Sequence, residues 1–123
     1  MSERAPVVLL VDDEERILSA LRRTLRREGY ELLTAQTPAQ ALAILDERPV
    51  DLVVSDQKMP GLSGVDLLAQ IGRRRPGIPR VLLTGWPEEI PAARLREVGV
   101  HALLPKPWDD TELKSTLRKL LAS

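Results

Sequence analysis

The apolar residues of this chain follow two patterns that alternate along its length. Short aliphatic runs predict five strands, at about residues 6–11, 30–34, 51–55, 80–84 and 101–104. Between these runs, apolar residues recur at the spacing of an amphipathic helix, which predicts five helices. The first, third and fourth runs are apolar at successive positions, which is typical of strands buried on both faces.

A few residues mark where the helices should begin and end. Gly29 is expected to end the first helix, and Thr37 followed by Pro38 should cap and open the second. The fourth helix is expected over about residues 88–98, and Asp109 should cap the last one. Each predicted strand is thus followed by a helix.

Strands that alternate with helices predict an α/β domain with a parallel sheet, since parallel strands need long crossover connections. These crossovers are right-handed, so the helices cover both faces of the sheet in a doubly wound fold. With 123 residues, the chain is expected to form a single domain over residues 1–123. Folds of this kind bind ligands at the carboxyl ends of their strands.

The composition removes several classes of function. The chain has no cysteine and one histidine, His101, which excludes disulfides, thiolate metal sites and multi-histidine metal clusters. With 18 basic and 18 acidic residues the net charge is zero, so we expect no direct nucleic-acid partner and interpret Arg73–Arg75 as a solvated basic turn. No apolar run approaches the ~20 residues that span a bilayer, and no secretory signal is visible. We therefore expect a cytoplasmic protein without membrane contact.

Ionisable and hydroxyl side chains lie where the predicted strands end. Asp12 and Asp13 follow the first strand, Asp56 follows the third, Thr84 closes the fourth and Lys106 follows the fifth. Each residue alone also has a structural explanation, such as capping a helix or ending a turn. Three carboxylates placed together would repel one another, however. Their joint position favours a site in which a divalent cation and a lysine neutralise them.

This set of side chains indicates phosphoryl-transfer chemistry. Ligands that are all oxygen suit Mg²⁺, and a carboxylate can act as a nucleophile toward a phosphoryl group. A metal ion, an ammonium group and a hydroxyl donor would together neutralise and position the transferred group.

Four segments resemble the receiver domain of two-component response regulators. They are Val11-Asp12-Asp13-Glu14, Asp56-Gln57-Lys58-Met59-Pro60-Gly61-Leu62-Ser63-Gly64, Leu83-Thr84-Gly85 and Lys106-Pro107-Trp108. All four occur in order and at strand ends, and the resemblance covers essentially the whole chain. It implies a flavodoxin-like receiver fold, with five helices and five strands in the order 2-1-3-4-5.

The resemblance implies that Asp56 is the phosphoacceptor and takes a phosphoryl group from a sensor histidine kinase or a histidine phosphotransfer protein. Mg²⁺ would be held by Asp12, Asp13, Asp56 and the backbone carbonyl of Lys58, with Asp13 the preferred direct ligand. The chain would then be a phosphorylated signalling domain rather than an enzyme, apart from self-catalysed phosphoryl transfer and dephosphorylation.

The same resemblance implies how the domain switches. Thr84 would supply the switch hydroxyl, Lys106 would pair with the phosphoryl group, and the Lys106–Pro107 bond is expected to be cis. Phosphorylation would bias the surface of helix 4, strand 5 and helix 5, where a homodimer partner or an output domain would bind.

Two features depart from the family pattern. Leu103 stands where many receivers carry an aromatic residue that swings inward, which puts aromatic rotation in question and leaves Thr84 and the backbone of strand 4 to move. Lys58 and Trp86 occupy the two positions that flank the phosphoryl group in the family. Our hypothesis is that Trp86 restricts in-line water and slows phosphate loss; the alternative is that it packs on the surface of helix 4.

Two other functions stay open at this point. An aspartate-nucleophile phosphatase of the haloacid dehalogenase type needs a second Asp two residues after the nucleophile, where this chain has Lys58. A pseudo-receiver, an interaction module that is never phosphorylated, would not need the intact set of charged residues. The segments at 56–61 and 106–108 resemble receivers attached to transcription activators or cyclic-di-GMP phosphodiesterases, so the chain is either a stand-alone regulator or part of a larger one.

Overall fold

The computed structural model describes residues 4–122, which contain a parallel sheet of five strands. The strands are β1 (Val7–Val11), β2 (Glu31–Ala35), β3 (Leu52–Asp56), β4 (Arg80–Thr84) and β5 (Ala102–Pro105). Their order is β2-β1-β3-β4-β5, which confirms the predicted doubly wound α/β fold. The predicted bounds agree with the observed ones to within one residue, and β3 extends far enough to include Asp56.

Helices cover both faces of the sheet: α1 (Glu15–Leu25), α2 (Pro38–Glu47), α3 (Gly64–Arg74), α4 (Ala92–Val98) and α5 (Asp110–Ala122). One hydrophobic core lies between the sheet and the pair α1 and α5, and the other between the sheet and α2, α3 and α4. Successive residues of β1 enter opposite cores, since Leu9 belongs to one and Leu10 to the other. All residues of β1, β3 and β4 are buried, as predicted.

The described residues bear on two further expectations. The expected single domain over residues 1–123 includes residues 1–3 and 123, which lie outside the described residues, so that range stays a prediction. Within residues 4–122, every helix is too short or too polar to cross a membrane.

Side-chain caps begin three of the helices. Thr37 Oγ1 accepts a hydrogen bond from the backbone nitrogen of Gln40 at 3.1 Å, and Asp109 Oδ1 accepts one from Glu112 at 2.8 Å. Both caps were predicted from the sequence, because these side chains satisfy amide groups that the first helical turn leaves unpaired. Ser63 caps α3 in the same way.

The first helix ends earlier than the sequence predicts. α1 stops at Leu25 rather than at Gly29, and a turn follows in which the backbone nitrogen of Glu28 donates to the carbonyl of Leu25 at 3.0 Å. Gly29 has a φ of +86°, a left-handed conformation that glycine adopts without strain. Gly29 therefore turns the chain toward β2 instead of closing the helix.

The prediction of a helix over residues 88–98 is wrong in its first part. Pro87–Glu89 form a separate 3-10 turn, Ile90 is extended, and α4 begins only at Ala92. Pro91 accounts for the break, because proline lacks an amide hydrogen and keeps the residue before it out of the helical region. α4 is consequently a short helix of 7 residues.

His101 ties β4 to the residue that precedes β5. Its Nδ1 accepts a hydrogen bond from the backbone nitrogen of Arg80 at 3.0 Å, and its own backbone nitrogen donates to the carbonyl of Arg80 at 2.8 Å. Partial burial and the charge of Arg80 lower the pKa of His101 below its ordinary value. Only an imidazole with an unprotonated Nδ1 accepts this bond, so the folded chain favours neutral His101.

Acid should therefore destabilise the fold through His101. Because the folded pKa is depressed, the contribution of His101 is complete above its ordinary pKa of 6.5 and is lost as the pH falls below that value. Losing the hydrogen bond should cost about 1 kcal/mol. Urea denaturation at about pH 7.5 and about pH 5.5 should show a larger fall in unfolding free energy for the native chain than for His101→Asn. The asparagine oxygen accepts the same bond without titrating, so equal falls in the two proteins would contradict the prediction.

Candidate functional site

The carboxyl ends of the strands bring a lysine and two aspartates into contact. The Nζ of Lys106 lies 2.9 Å from Asp12 Oδ2 and 3.0 Å from Asp56 Oδ1. The side chains of Asp12 and Asp56 are only 1% and 7% exposed, and that of Lys106 is 19% exposed. Water competes little with such contacts, so the three groups form one tightly coupled charged cluster.

Asp13 completes a group of three carboxylates. One oxygen each from Asp12, Asp13 and Asp56 lies within 4.8 Å of the others, a spacing that fits one cation. Both oxygens of Asp12 are engaged, because Oδ1 accepts a hydrogen bond from the backbone nitrogen of Glu14 at 2.9 Å and Oδ2 meets the lysine. Asp13 is exposed, and its carboxylate has no hydrogen bond or ion pair with the described residues. It is therefore the carboxylate most accessible to an ion from solvent.

Burial governs the titration of this cluster. Desolvation raises the pKa of Asp56 and the charge of Asp12 adds to the rise, whereas the hydrogen bond from Lys106 opposes it. Burial alone would lower the pKa of Lys106, but its hydrogen bonds to the two aspartates outweigh this and raise it. Lys106 therefore stays charged, whereas ionisation of Asp56 lowers the stability of the folded protein.

The loop between β3 and α3 holds the backbone at Asp56 and Gln57 against the start of α3. Gln57 Oε1 accepts a hydrogen bond from the backbone nitrogen of Val65 at 2.8 Å, and the carbonyl of Gln57 accepts one from Gly64 at 2.8 Å. A β-carbon on Gly64 would lie 2.1 Å from the carbonyl oxygen of Asp56, so only glycine fits there. Sequence reasoning missed this role of Gln57, and no motif signals it; Gly64 at the predicted start of a helix was the available clue.

Thr84 is buried at the end of β4, beside the charged cluster. Its Oγ1 accepts a hydrogen bond from the backbone nitrogen of Trp86 at 3.0 Å. Its carbonyl accepts one from the backbone nitrogen of Lys106 at 3.0 Å, which links β4 to the end of β5. The Lys106–Pro107 bond that follows is cis, as the resemblance implies.

Lys58 and Trp86 contact each other over the site. The Nζ of Lys58 lies 4.4 Å from the centre of the Trp86 ring, a distance typical of a cation–π contact, and 3.0 Å from Glu89 Oε1. Trp86 is 51% exposed and lines the same cleft as Asp56, so it does not pack in a core. The sequence analysis gave Glu89 no role, because an ion pair between two loops leaves no local pattern in the sequence.

A cleft of about 920 Å³ opens over these residues. Asp56, Thr84 and Lys106 lie among its lining residues, and Trp86 and Trp108 belong to its walls. Trp108 is held by its Nε1, which donates to Asp110 Oδ1 at 3.0 Å. Asp56, Thr84 and Lys106 therefore face a space that is large enough for an incoming side chain or a small molecule, whereas Asp12 and Asp13 do not line it.

Replacing Asp56 should stabilise the protein in the absence of divalent cations. Because its pKa is raised on folding, Asp56 destabilises the folded state when ionised, and Asp56→Asn removes that cost together with the repulsion from Asp12. Lys106 keeps Asp12 as its partner, so no buried charge is left unpaired, and we expect a gain on the order of 1 kcal/mol in unfolding free energy, measured by urea denaturation with a chelator at about pH 7.5. Asp13→Asn is the control and should give a smaller gain, since Asp13 is exposed. A loss of stability in Asp56→Asn would refute this account.

Residues 8–118 match the family model of the response regulator receiver domain. The chain is 39% identical over 120 residues to the hydrogenase transcriptional regulatory protein HoxA of Cupriavidus necator, a match that covers 97% of this chain and 25% of HoxA. It is 41% identical to the receiver domain of an HD domain-containing protein from Pseudomonas fluorescens, with a TM-score of 0.92 over 99% of this chain and 90% of that one.

A further structural relative is response regulator TrrA of Thermotoga maritima, solved in complex with Mg²⁺–BeF. It is 30% identical with a TM-score of 0.86, over 94% of this chain and 98% of TrrA. The chain spans between 25% and 48% of the length of the curated relatives that it matches. Since the family match covers most of the chain and the fold agrees throughout, the chain belongs to the response regulator receiver domains of two-component systems.

Proposed function

We propose that the chain accepts a phosphoryl group on Asp56 from a phosphohistidine of a sensor histidine kinase or a histidine phosphotransfer protein. The observation that carries this proposal is the contact of Lys106 with both Asp12 and Asp56 at the base of an open cleft. A signalling role, in which the domain is the substrate of a kinase and not a classical enzyme, agrees with its family.

Mg²⁺ fits the three carboxylates at this site. Asp12, Asp13 and Asp56 offer oxygens at a spacing that suits one cation, and hard oxygen ligands are those that Mg²⁺ prefers. We assign the backbone carbonyl of Lys58 as the remaining protein ligand and Asp13 as the most direct one. When bound, Mg²⁺ supplies positive charge that offsets the negative oxygens of a phosphoryl group.

The side chains of the cluster have distinct tasks in the transfer. A carboxylate oxygen of Asp56 forms a bond to phosphorus while the bond from phosphorus to the donor imidazole breaks, and the imidazole nitrogen keeps the electron pair. Lys106 holds Asp56 Oδ1 in place at 3.0 Å and provides a charge for a phosphoryl oxygen. Thr84 Oγ1 accepts its present bond from Trp86, which leaves its own hydrogen available to donate to a second phosphoryl oxygen.

The signal leaves the site through β4. Leu103 is half-buried in the core beside α4, so this chain has no aromatic side chain at that position to rotate. We propose that Thr84 and the backbone of β4 move instead, and that they change the surface formed by α4, β5 and α5. A second copy of the chain or an output domain would bind there, and transcriptional regulators such as HoxA carry residues beyond the part that this chain matches.

Phosphorylation is tested directly with a small phosphodonor and Mg²⁺. We expect a single phosphoryl adduct per chain by intact-mass spectrometry, stable in acid and labile in base, as an acyl phosphate should be. The adduct should be absent from Asp56→Asn and should not form when a chelator removes Mg²⁺. Asp46→Asn is the matched control: Asp46 forms an exposed ion pair with Arg74 far from the site and should be phosphorylated normally.

The same experiment separates the alternatives. Repeated turnover with release of phosphate and no stable adduct would indicate an aspartate-nucleophile phosphatase. Absence of an adduct with small donors and with a kinase would indicate a pseudo-receiver. The receiver relatives lend support to neither alternative.

Trp86 is expected to prolong the life of the phosphorylated state. Its half-exposed ring, held by Lys58, lies on the cleft through which water must approach Asp56. Trp86→Ala should therefore shorten the half-life of the adduct several-fold, measured by loss of the phosphoryl mass over time. Trp108→Phe tests the other wall of the cleft and should leave the half-life almost unchanged. An unchanged half-life in Trp86→Ala would favour the view that Trp86 only packs against the surface of α4.

A further inference from the structure

Arg80 is a buried cation at the end of the sheet that lies opposite the charged cluster. It begins β4 and is only 7% exposed. Its guanidinium packs against Gly72 of α3. A β-carbon on Gly72 would lie 1.6 Å from Nη1, so any larger residue would collide with Arg80. A β-carbon on Gly99, just after α4, would lie 3.2 Å from Nη2, which is a tight contact but a far less severe one. Two glycines thus leave the space that this side chain occupies.

The charge of Arg80 is not neutralised by any described carboxylate. Its Nη1 donates to the carbonyls of Val98 at 3.1 Å and Leu68 at 3.4 Å, and its Nε donates to the carbonyl of Ile78 at 3.2 Å. Nη2 has no acceptor among residues 4–122, and it is reached by solvent, since no fully buried polar side-chain atom in this range lacks a partner. Burial lowers the pKa of Arg80, as expected for a cation that lacks a counter-charge.

Arg80 lines a cleft of about 480 Å³ between α3 and α4. Arg73, Arg94 and Glu97 are the other charged residues of its lining. Arg94 is already neutralised, because it pairs with Asp66 at 2.6 Å and with Glu97 at 2.7 Å. Arg73 is exposed and has no ion pair within the described part of the chain. Two unpaired guanidinium groups, one of them buried, therefore border this cleft.

We propose that the cleft between α3 and α4 binds a phosphate-class oxyanion, free or as the phosphate of a small phosphomonoester. Nη2 of Arg80 offers two N–H donors that lack a protein acceptor, and Arg73 adds a mobile guanidinium at the rim. Guanidinium groups bind phosphate oxygens through paired, charge-assisted hydrogen bonds, and the protein already holds the Arg80 side chain in place through three carbonyls. This site lies at the amino end of β4, apart from the phosphoacceptor at its carboxyl end.

The test is a titration of the whole chain with inorganic phosphate, followed by two-dimensional ¹H–¹⁵N NMR. A chelator is present, so that the carboxylate cluster does not recruit phosphate through a metal ion, and sodium chloride keeps the ionic strength constant. We expect saturable shifts of the Gly72 and Gly99 amides and of the Arg80 Nε resonance. A nucleoside monophosphate forms a second arm: tighter binding would identify a phosphomonoester as the ligand, and equal binding would identify the oxyanion alone.

Arg73→Gln and Arg27→Gln are the matched variants. Both residues are exposed arginines without an ion pair to the described residues, but Arg27 lies in the turn after α1, remote from the cleft. Arg73→Gln should weaken phosphate binding by about fivefold or more. Arg27→Gln should change it by less than about twofold, since it alters only the net charge. Arg80→Lys should abolish the saturable shifts, because one ammonium group cannot serve both the carbonyls and the anion.

Three results would overturn the proposal. Shifts that grow linearly with phosphate would indicate an unspecific ionic effect, as would an equal loss of affinity in Arg73→Gln and Arg27→Gln. Unchanged binding by a folded Arg80→Lys would show that Arg80 has only a structural role. Phosphorylation of Asp56 is measured separately on the same variants, so failure of this site leaves the proposed phosphoacceptor untouched.

Discussion

The ammonium group of Lys106 allows two buried carboxylates to share one edge of the sheet. Without it, Asp12 and Asp56 would face each other in a place that water barely reaches, and burial already raises the pKa of Asp56. Lys106 is separated from Asp12 by 94 positions in the sequence. It arrives only when β5 pairs with β4, so the charged cluster exists only in the completed fold. The contact that stabilises the site therefore requires that β1, β3, β4 and β5 have assembled.

The sequence predicts the sheet and the convergence of the cluster for one physical reason. Strands covered on both faces must be apolar throughout, so their ends are marked by the first polar residue, and parallel strands place those ends on one edge. Asp12, Asp56 and Lys106 stand at such ends, and the structure brings them together. The start of α4 was mispredicted because Pro91 was expected near the start of a helix that begins at about residue 88, where proline is tolerated. In the structure the helix begins only after Pro91, at Ala92.

Side chains that hydrogen-bond to backbone groups of distant segments could not be predicted from the pattern of polar and apolar residues. Gln57 supports the loop behind Asp56 by accepting an amide of α3, a role that depends on how closely two segments approach. Arg80 looks like the polar first residue of a strand, and only the space left by two glycines from other elements makes it a buried cation. In both cases the deciding information is a distance between segments far apart in sequence, which neither hydrophobic spacing nor a local motif contains.

The two ends of β4 form hydrogen bonds with different elements, β5 at one end and α4 at the other. At the carboxyl end, the carbonyl of Thr84 accepts a hydrogen bond from the backbone nitrogen of Lys106. A displacement of Thr84 would therefore also move the end of β5. At the amino end, the guanidinium of Arg80 donates a hydrogen bond to the carbonyl of Val98, the last residue of α4. Main-chain and guanidinium contacts thus connect β4 to α4 and β5 without any aromatic side chain, which is consistent with Leu103 at the position of the usual rotating ring. These contacts support our proposal that β4 is the element through which phosphorylation of Asp56 would reach the surface of α4 and β5.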